Sequence, residues 1–216
     1  MRIFTFVLLA VTLLAFCGCK KKIDLCNYVS EYRNNLFLYK GESFAVKAQN
    51  VEKEYPYVAD GYKGEMTNRT EIFISAPPNT QSCKVLFIAD GMEHRGDASY
   101  DSVKRQFYYS CAADLSEAES LPIRLSFDDA EVEVTLASVK SKTTLPLKEL
   151  LTKLFSEEQD LLKTMSSGKE FLGELYVRIL YEDAPYFYVG VVDRSGNITA
   201  FLLDGKTGKT LAKRTA

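Results

Sequence analysis

Tryptophan is absent from the 216 residues, and histidine occurs once, at His94. A chain without tryptophan lacks the cysteine–tryptophan signature of immunoglobulin domains. A single histidine rules out two-histidine metal sets, and no two of Cys26, Cys83 and Cys111 stand at the C-x₂₋₄-C spacing of a zinc site. Positive charge is not in excess either: 27 Lys+Arg face 29 Asp+Glu, with a pI near 5.6. Nucleic acid is therefore not an expected partner, because phosphate binding needs a basic face. No metal and no cofactor is expected. Hydrophobic residues make up 46% and charged residues 26%, the balance of a chain that buries a core rather than a disordered one.

One apolar run stands out. Arg2 is followed by Ile3 to Phe16, then Cys17-Gly18-Cys19 and Lys20-Lys21-Lys22. The run falls short of the roughly 20 residues a membrane-spanning helix needs. Its layout is that of a secretory signal, with one positive charge in front and small residues behind. Phe16-Cys17-Gly18-Cys19 resembles the export signal of bacterial lipoproteins, in which a small residue precedes the cysteine that becomes the lipidated N-terminus. Phe16 and Cys17 depart from the usual leucine and alanine or serine, and Gly18 fits. The resemblance implies a signal peptide over 1–18, lipidation at Cys19, and an exported protein anchored on the extracytoplasmic face of the membrane. A diacylglyceryl group meets the requirement for two chains in stable anchoring. Outside the cytoplasm Cys83 and Cys111 admit a disulfide; the other reading is that they are small buried hydrophobes.

From residue 35 to 141 the pattern is of short strands. Leu121, Ile123, Leu125 and Phe127 alternate with polar residues or proline. After Asp128-Asp129 the period of two resumes at Val132, Val134 and Leu136, which reads as a hairpin with one wet face. Val85 to Ile88 is apolar throughout, as a central strand is. These features predict an antiparallel β-sandwich-like domain, preceded by a tether over 19–34. At Leu145 the period changes: Leu147, Leu150, Leu151, Leu154, Leu161, Leu162 and Met165 follow helical spacing. Ser156-Glu157-Glu158-Gln159 has capping-box form and predicts a second helix start. Three strand-like runs follow, which makes 145–216 a small helix-plus-antiparallel-sheet module and the whole chain α+β.

The end of the chain carries a second likeness. Tyr188-Val189-Gly190-Val191-Val192-Asp193, then Ser195-Gly196-Asn197, then Leu203-Asp204-Gly205-Lys206-Thr207-Gly208-Lys209-Thr210-Leu211, resembles the closing strands of PepSY modules of bacterial exported proteins. Gly205 stands where that family usually has alanine. The resemblance implies binding to an envelope protein or peptidase, and it supplies no catalytic residues. Together the two likenesses lead to the expectation of a non-enzymatic, membrane-anchored binding or accessory protein of the cell envelope. The alternatives are an exported enzyme acting on wall material and an adhesin-like surface protein.

The remaining motifs have structural explanations. Gly205 to Thr210 lacks the first glycine of a phosphate loop, and Leu203 occupies that place. Arg95-Gly96-Asp97 is read as a polar loop beside a solvated His94, and it carries the adhesin alternative. Asp128-Asp129 suits a turn, and Glu157-Glu158 the first turn of a helix, where the dipole favours acids. Tyr55-Pro56-Tyr57 and Pro185-Tyr186-Phe187-Tyr188 are the aromatic surface candidates.

Overall fold

The computed structural model describes residues 23–56 and 63–215. Cys19 and the signal segment lie outside the described residues, as does Tyr57. A 3-10 turn, Leu25–Tyr28, leads into the strands β1 (Val29–Lys40), β2 (Ala45–Glu54) and β3 (Met66–Ser75). These are followed by β4 (Cys83–Ala89), β5 (Met92–Asp97), β6 (Ser99–Asp101) and β7 (Gln106–Cys111). The hairpin of β8 (Ser120–Phe127) and β9 (Ala130–Ser138) precedes two helices, α1 (Leu147–Glu157) and α2 (Gln159–Thr164). A two-residue hairpin, β10 (Ser166–Ser167) with β11 (Glu170–Phe171), gives way to β12 (Gly173–Tyr181) and β13 (Pro185–Asp193), then β14 (Ile198–Asp204) and β15 (Thr210–Thr215).

This is a mostly β architecture, and the α+β expectation of a sandwich followed by a separate module does not hold. Thirteen of the strands belong to one sheet, which runs β15-β14-β13-β12-β1-β2-β3-β7-β6, with β9, β8, β4 and β5 branching from β1. The reason lies in β1, which serves two neighbours along one edge. Over Val29–Arg33 it pairs in parallel with β12, and over Phe37–Leu38 it pairs antiparallel with β9. Its other edge pairs with β2 along nearly the whole strand. Residues 29–34, expected as tether, therefore form the first half of β1.

Beyond the fork, the wall β7-β3-β2-β1-β9-β8-β4-β5 curls into a nearly closed barrel. Continuous chain from β5 to β6 changes partner at Ala98, passing from β4 to β7. Where β5 and β7 do not pair, Gly96 leaves room for the Tyr109 ring, which a Cβ would meet at 2.8 Å. Phe37, Val46, Ile72, Ile74, Val85, Phe87, Leu121, Leu125 and Leu136 fill the barrel. The alternation in β8 explains its part: Leu121, Ile123, Leu125 and Phe127 point inward while Pro122 and Arg124 face out. β4 is less enclosed than its apolar run suggests, since Ile88 is 65% exposed on the outer face.

A second core lies between α1 and the inner face of β12, β13 and β14. Leu150, Leu151, Leu154 and Phe155 of the helix meet Leu175, Val177, Val189, Val191 and Phe201. The helical segment breaks at Glu158, whose dihedrals (φ −104, ψ 46) leave the helical region. Ser156 does not cap α2, because its hydroxyl donates back to the Lys153 carbonyl at 2.7 Å. Among the described residues no helix is long and apolar enough to cross a membrane.

Buried amides hold the fork. β1 carries a register shift between Arg33 and Asn35, and Asn34 and Asn35 are both buried there. Asn35 Nδ2 donates to the carbonyls of Leu115 (2.8 Å) and Ala118 (2.9 Å), and its Oδ1 accepts from Ser138 Oγ (2.7 Å) and Leu36 N (3.0 Å). Asn50 Nδ2 donates to Asn34 Oδ1 and Asn68 Oδ1, each at 3.0 Å, while its Oδ1 accepts from Leu115 N at 2.8 Å. The segment between β7 and β8 is thereby tied to strands β1, β2 and β3. Replacing Asn50 with Ala strands the Leu115 N–H and two amide partners, and costs about 2 kcal/mol of unfolding free energy. Chemical denaturation checks this: a loss well under 1 kcal/mol would remove the amides from the account of the fork.

Candidate functional site

The outer face of the sheet gathers charge where β1, β2 and β12 meet. Arg33 is in register with Arg178 on one side and Val51 on the other, and Glu31 is in register with Lys53. Glu31 is only 3% exposed. Its carboxylate accepts from Arg33 Nε at 2.8 Å and Arg178 Nε at 2.6 Å, with Lys53 Nζ at 3.7 Å. Burial alone would raise this carboxyl. The guanidinium charges of Arg33 and Arg178, with their hydrogen bonds, overcome burial and hold it below the ordinary carboxylate value. Arg178 in turn lies over the Tyr188 ring, 5.5 Å from its centroid.

Arg33 also forms one wall of a cleft of about 430 Å³, shared with Glu71, Phe73, Tyr100, Lys104 and Tyr108. The aromatic rings are braced. Phe73 and Tyr108 lie 5.2 Å apart across β3 and β7, and Tyr100 lies 5.1 Å from Phe107. Tyr100 remains 56% exposed. Lys47 Nζ sits 5.9 Å above the Phe73 ring, and burial, then the charge of Arg33, lowers its pKa.

Both acids of the cleft are engaged within the protein. Glu71 accepts from Gln49 Nε2 at 2.7 Å and Tyr108 Oη at 3.3 Å. Asp101 accepts the backbone N–H groups of Val103 and Lys104, each at 3.0 Å. The cations are less committed: Arg33 bonds Glu31 through Nε, and Lys104 is exposed and makes no ion pair among the described residues. The cleft thus offers free cationic donors beside ring faces, while its two cations and two carboxylates balance in charge. A second cleft, of about 370 Å³ on the outer face of β4, β8 and β9, differs in that its Arg124 and Glu133 neutralise each other.

The residues singled out by sequence fall elsewhere. Arg95-Gly96-Asp97 is not a loop but part of β5, in register with Leu86, Val85 and Lys84. His94 lies in β5 and is half-buried; its ring stacks on Phe87 at 5.2 Å and its Nε2 is buried. Glu157 and Glu158 stand at the end of α1 rather than in a first turn, where they bind Thr210 Oγ1 (3.1 Å) and Lys213 Nζ (2.6 Å). Cys83 and Cys111 are free thiols on strands that are not neighbours, β4 and β7. Burial, then the charge of Asp128, pushes the Cys83 thiol up to about 12, and burial also raises Cys26 and Cys111. Such thiols are poor nucleophiles.

The acidic turns are structural. Asp128, at φ 51, binds Ser82 N (2.8 Å) and Gln81 N (3.1 Å), and these bonds lower its pKa. Asp204 closes the β14–β15 turn by accepting from Thr207 N (2.7 Å), Thr207 Oγ1 (2.8 Å) and Lys206 N (3.0 Å). Gly205 next to it admits no side chain, because a Cβ would collide with the Pro185 carbonyl. The segment is a tight turn with Gly208 at φ +73, not a phosphate loop. Tyr55 is exposed, whereas Tyr186 donates to Asp183 at 2.6 Å and Phe187 is core. No group of three or more His, Cys, Asp or Glu suited to a metal occurs among the described residues.

Comparison with known protein families, curated proteins and solved structures returns no match.

Glu31 is the electrostatic pin of this face. Glu31→Gln leaves two guanidinium groups without a counter-charge and costs about 2 kcal/mol at pH 7. That is less than the ~3–5 kcal/mol of a fully buried pair, because both arginines are about one-third exposed. The folded carboxyl titrates below its unfolded value of about 4.3, so its stabilisation is complete above that pH and disappears as pH falls through the lower folded value. Denaturation of wild type and variant at pH 7 and about pH 3 therefore shows a gap that narrows in acid. A gap that persists unchanged would assign Glu31 a packing role only.

Proposed function

We propose that this chain is a membrane-tethered, non-catalytic binding protein of the cell envelope, and that the cleft between Arg33 and Lys104 receives an acidic saccharide. The N-terminal sequence from Arg2 to Cys19 supports the address. The observation that carries the binding reading is which hydrogen-bonding groups in the cleft are already engaged. Its two acids are spent on internal hydrogen bonds while Arg33 and Lys104 keep donors to spare. Sugar rings offer C–H faces that pack on tyrosine and phenylalanine, and a carboxylate on such a ring answers the cations.

Four carboxyls of the chain are tuned away from acid catalysis. An acid catalyst needs a carboxyl whose pKa is raised toward neutrality. The carboxyls of Glu31, Asp128, Asp193 and Asp204 are all shifted the other way, by hydrogen bonds and cations. They are anions locked into structure.

Calorimetry with soluble wall fragments bearing muramic acid carboxylates tests the cleft, with neutral N-acetylglucosamine oligomers alongside. Lys104→Glu should weaken the acidic fragments about tenfold, the equivalent of ~1.4 kcal/mol, and leave neutral oligomers unchanged. Tyr100→Ala should weaken both. Acidic fragments that bind the Lys104→Glu variant as well as wild type would end the proposal.

A further inference from the structure

We infer that the folded body rests on the lipid bilayer by the end that carries the 3-10 turn and α1, so that the mouth of the Arg33–Lys104 cleft points away from the membrane. The inference rests on the tethered reading, since it starts from lipid at Cys19.

Its basis is the short distance between anchor and fold. Only residues 20–22 separate Cys19 from Ile23. Four peptide steps reach at most about 14 Å. The chain is then fixed almost at once. Asp24 caps the 3-10 turn by accepting from Cys26 N at 3.2 Å, Leu25 is buried in the second core, and Val29 is in register with Leu175. No slack remains after Ile23 for the body to swing on. Ile23 lines a cleft of about 220 Å³ together with Lys148, Leu151 and Thr152 of α1, so the first turns of that helix travel with it. Lys20, Lys21 and Lys22 immediately precede this end in sequence, and a lysine run there suits anionic headgroups.

Strand register locates the opposite end. Tyr39, Val46, Ile74 and Phe107 form one row across β1, β2, β3 and β7. That row stands ten residues along β1 from Val29, or about 30 Å at the usual rise of a strand. Tyr100 pairs with Phe107 in the same row, and the β6–β7 turn lies beyond it with Val103 89% exposed. Lys104 belongs to that turn. The cleft consequently climbs from Arg33, near the tether, to a mouth at the far end of the barrel, where an extended wall polymer can enter.

The absence of tryptophan makes a clean test available. Thr152→Trp and Val103→Trp each introduce one indole donor at an exposed site. The full-length lipidated proteins are placed in phosphatidylglycerol–phosphatidylethanolamine vesicles that carry dansyl headgroups as acceptor. Energy transfer from Thr152→Trp should exceed that from Val103→Trp several-fold. Insertion of about twenty Gly and Ser residues between Lys22 and Ile23, with a mean reach of roughly 25 Å, should abolish the difference while vesicle association persists. Equal or reversed transfer in the uninserted pair overturns the orientation and leaves the tether standing. A difference that survives the insertion overturns the tether-length argument. Full-length protein that fails to float with vesicles removes the tethered reading, and the orientation with it.

Discussion

The fold depends on one strand having two partners along the same edge. β1 leaves β12 after Arg33 and joins β9 at Phe37, and at this fork the Leu36 N–H and backbone groups of the 115–118 segment need partners outside the ladders. Amide side chains supply them. Asn35 and Asn50 each act as donor and acceptor together, which no aliphatic side chain and no carboxylate manages. A buried network of this kind is favourable only when it is complete. Asn34, Asn68, Thr70 and Ser138 complete it, with Thr70 Oγ1 donating to the Ala113 carbonyl at 2.9 Å. The fork thereby fixes where the barrel ends and where the helix-covered sheet begins.

The same fork sets the electrostatics of the outer face. In β1, Glu31 and Arg33 are two apart and share a face, and the parallel register with β12 delivers Arg178 to the same point. Three cations around one nearly buried carboxylate would repel one another without it. The carboxylate consumes the Nε donors of both arginines and holds them in place. Arg33 is then presented to the cleft with limited conformational freedom, so that a ligand has little side-chain entropy to overcome there. Lys104 is held less firmly, on the turn that Asp101 shapes from within. One fixed and one adaptable cation thus stand on either side of a ring platform.

Local features were legible in the chain, and long-range ones were not. The β8–β9 hairpin followed from alternation and an acidic turn, since both act over a few residues. The apolar stripe of α1 was equally plain. Little in residues 29–34 announced a strand, because Ser30, Glu31, Arg33 and Asn34 are polar and are buried or half-buried for reasons of pairing, not hydrophobicity. A polar run next to a signal segment reads as linker. For the same reason Arg33 and Arg178 were missed as a pair: they are brought together by a parallel ladder between elements 147 residues apart at Glu31 and Arg178. A single strand, β1, contributes to both cores, through Val29 and Leu36 to one and Phe37 to the other. Alternation of Glu31 and Arg33 around Tyr32 was the one local sign available.

The position of β1 also bears on how a tethered body of this kind would carry load. Any pull through the N-terminus arrives at Val29 and acts along the axis of β1. The strand is hydrogen-bonded on both edges, to β2 and to β12, so the force shears two ladders together rather than peeling one bond at a time. Glu31 adds a cross-tie at the loaded end, binding Arg33 within the strand, Arg178 on one neighbour and Lys53 on the other. A terminal strand at a sheet edge, such as β15, has one ladder and would unzip from its free end. Entry of the chain through a central strand would thus pass a pull at Val29 to both cores at once.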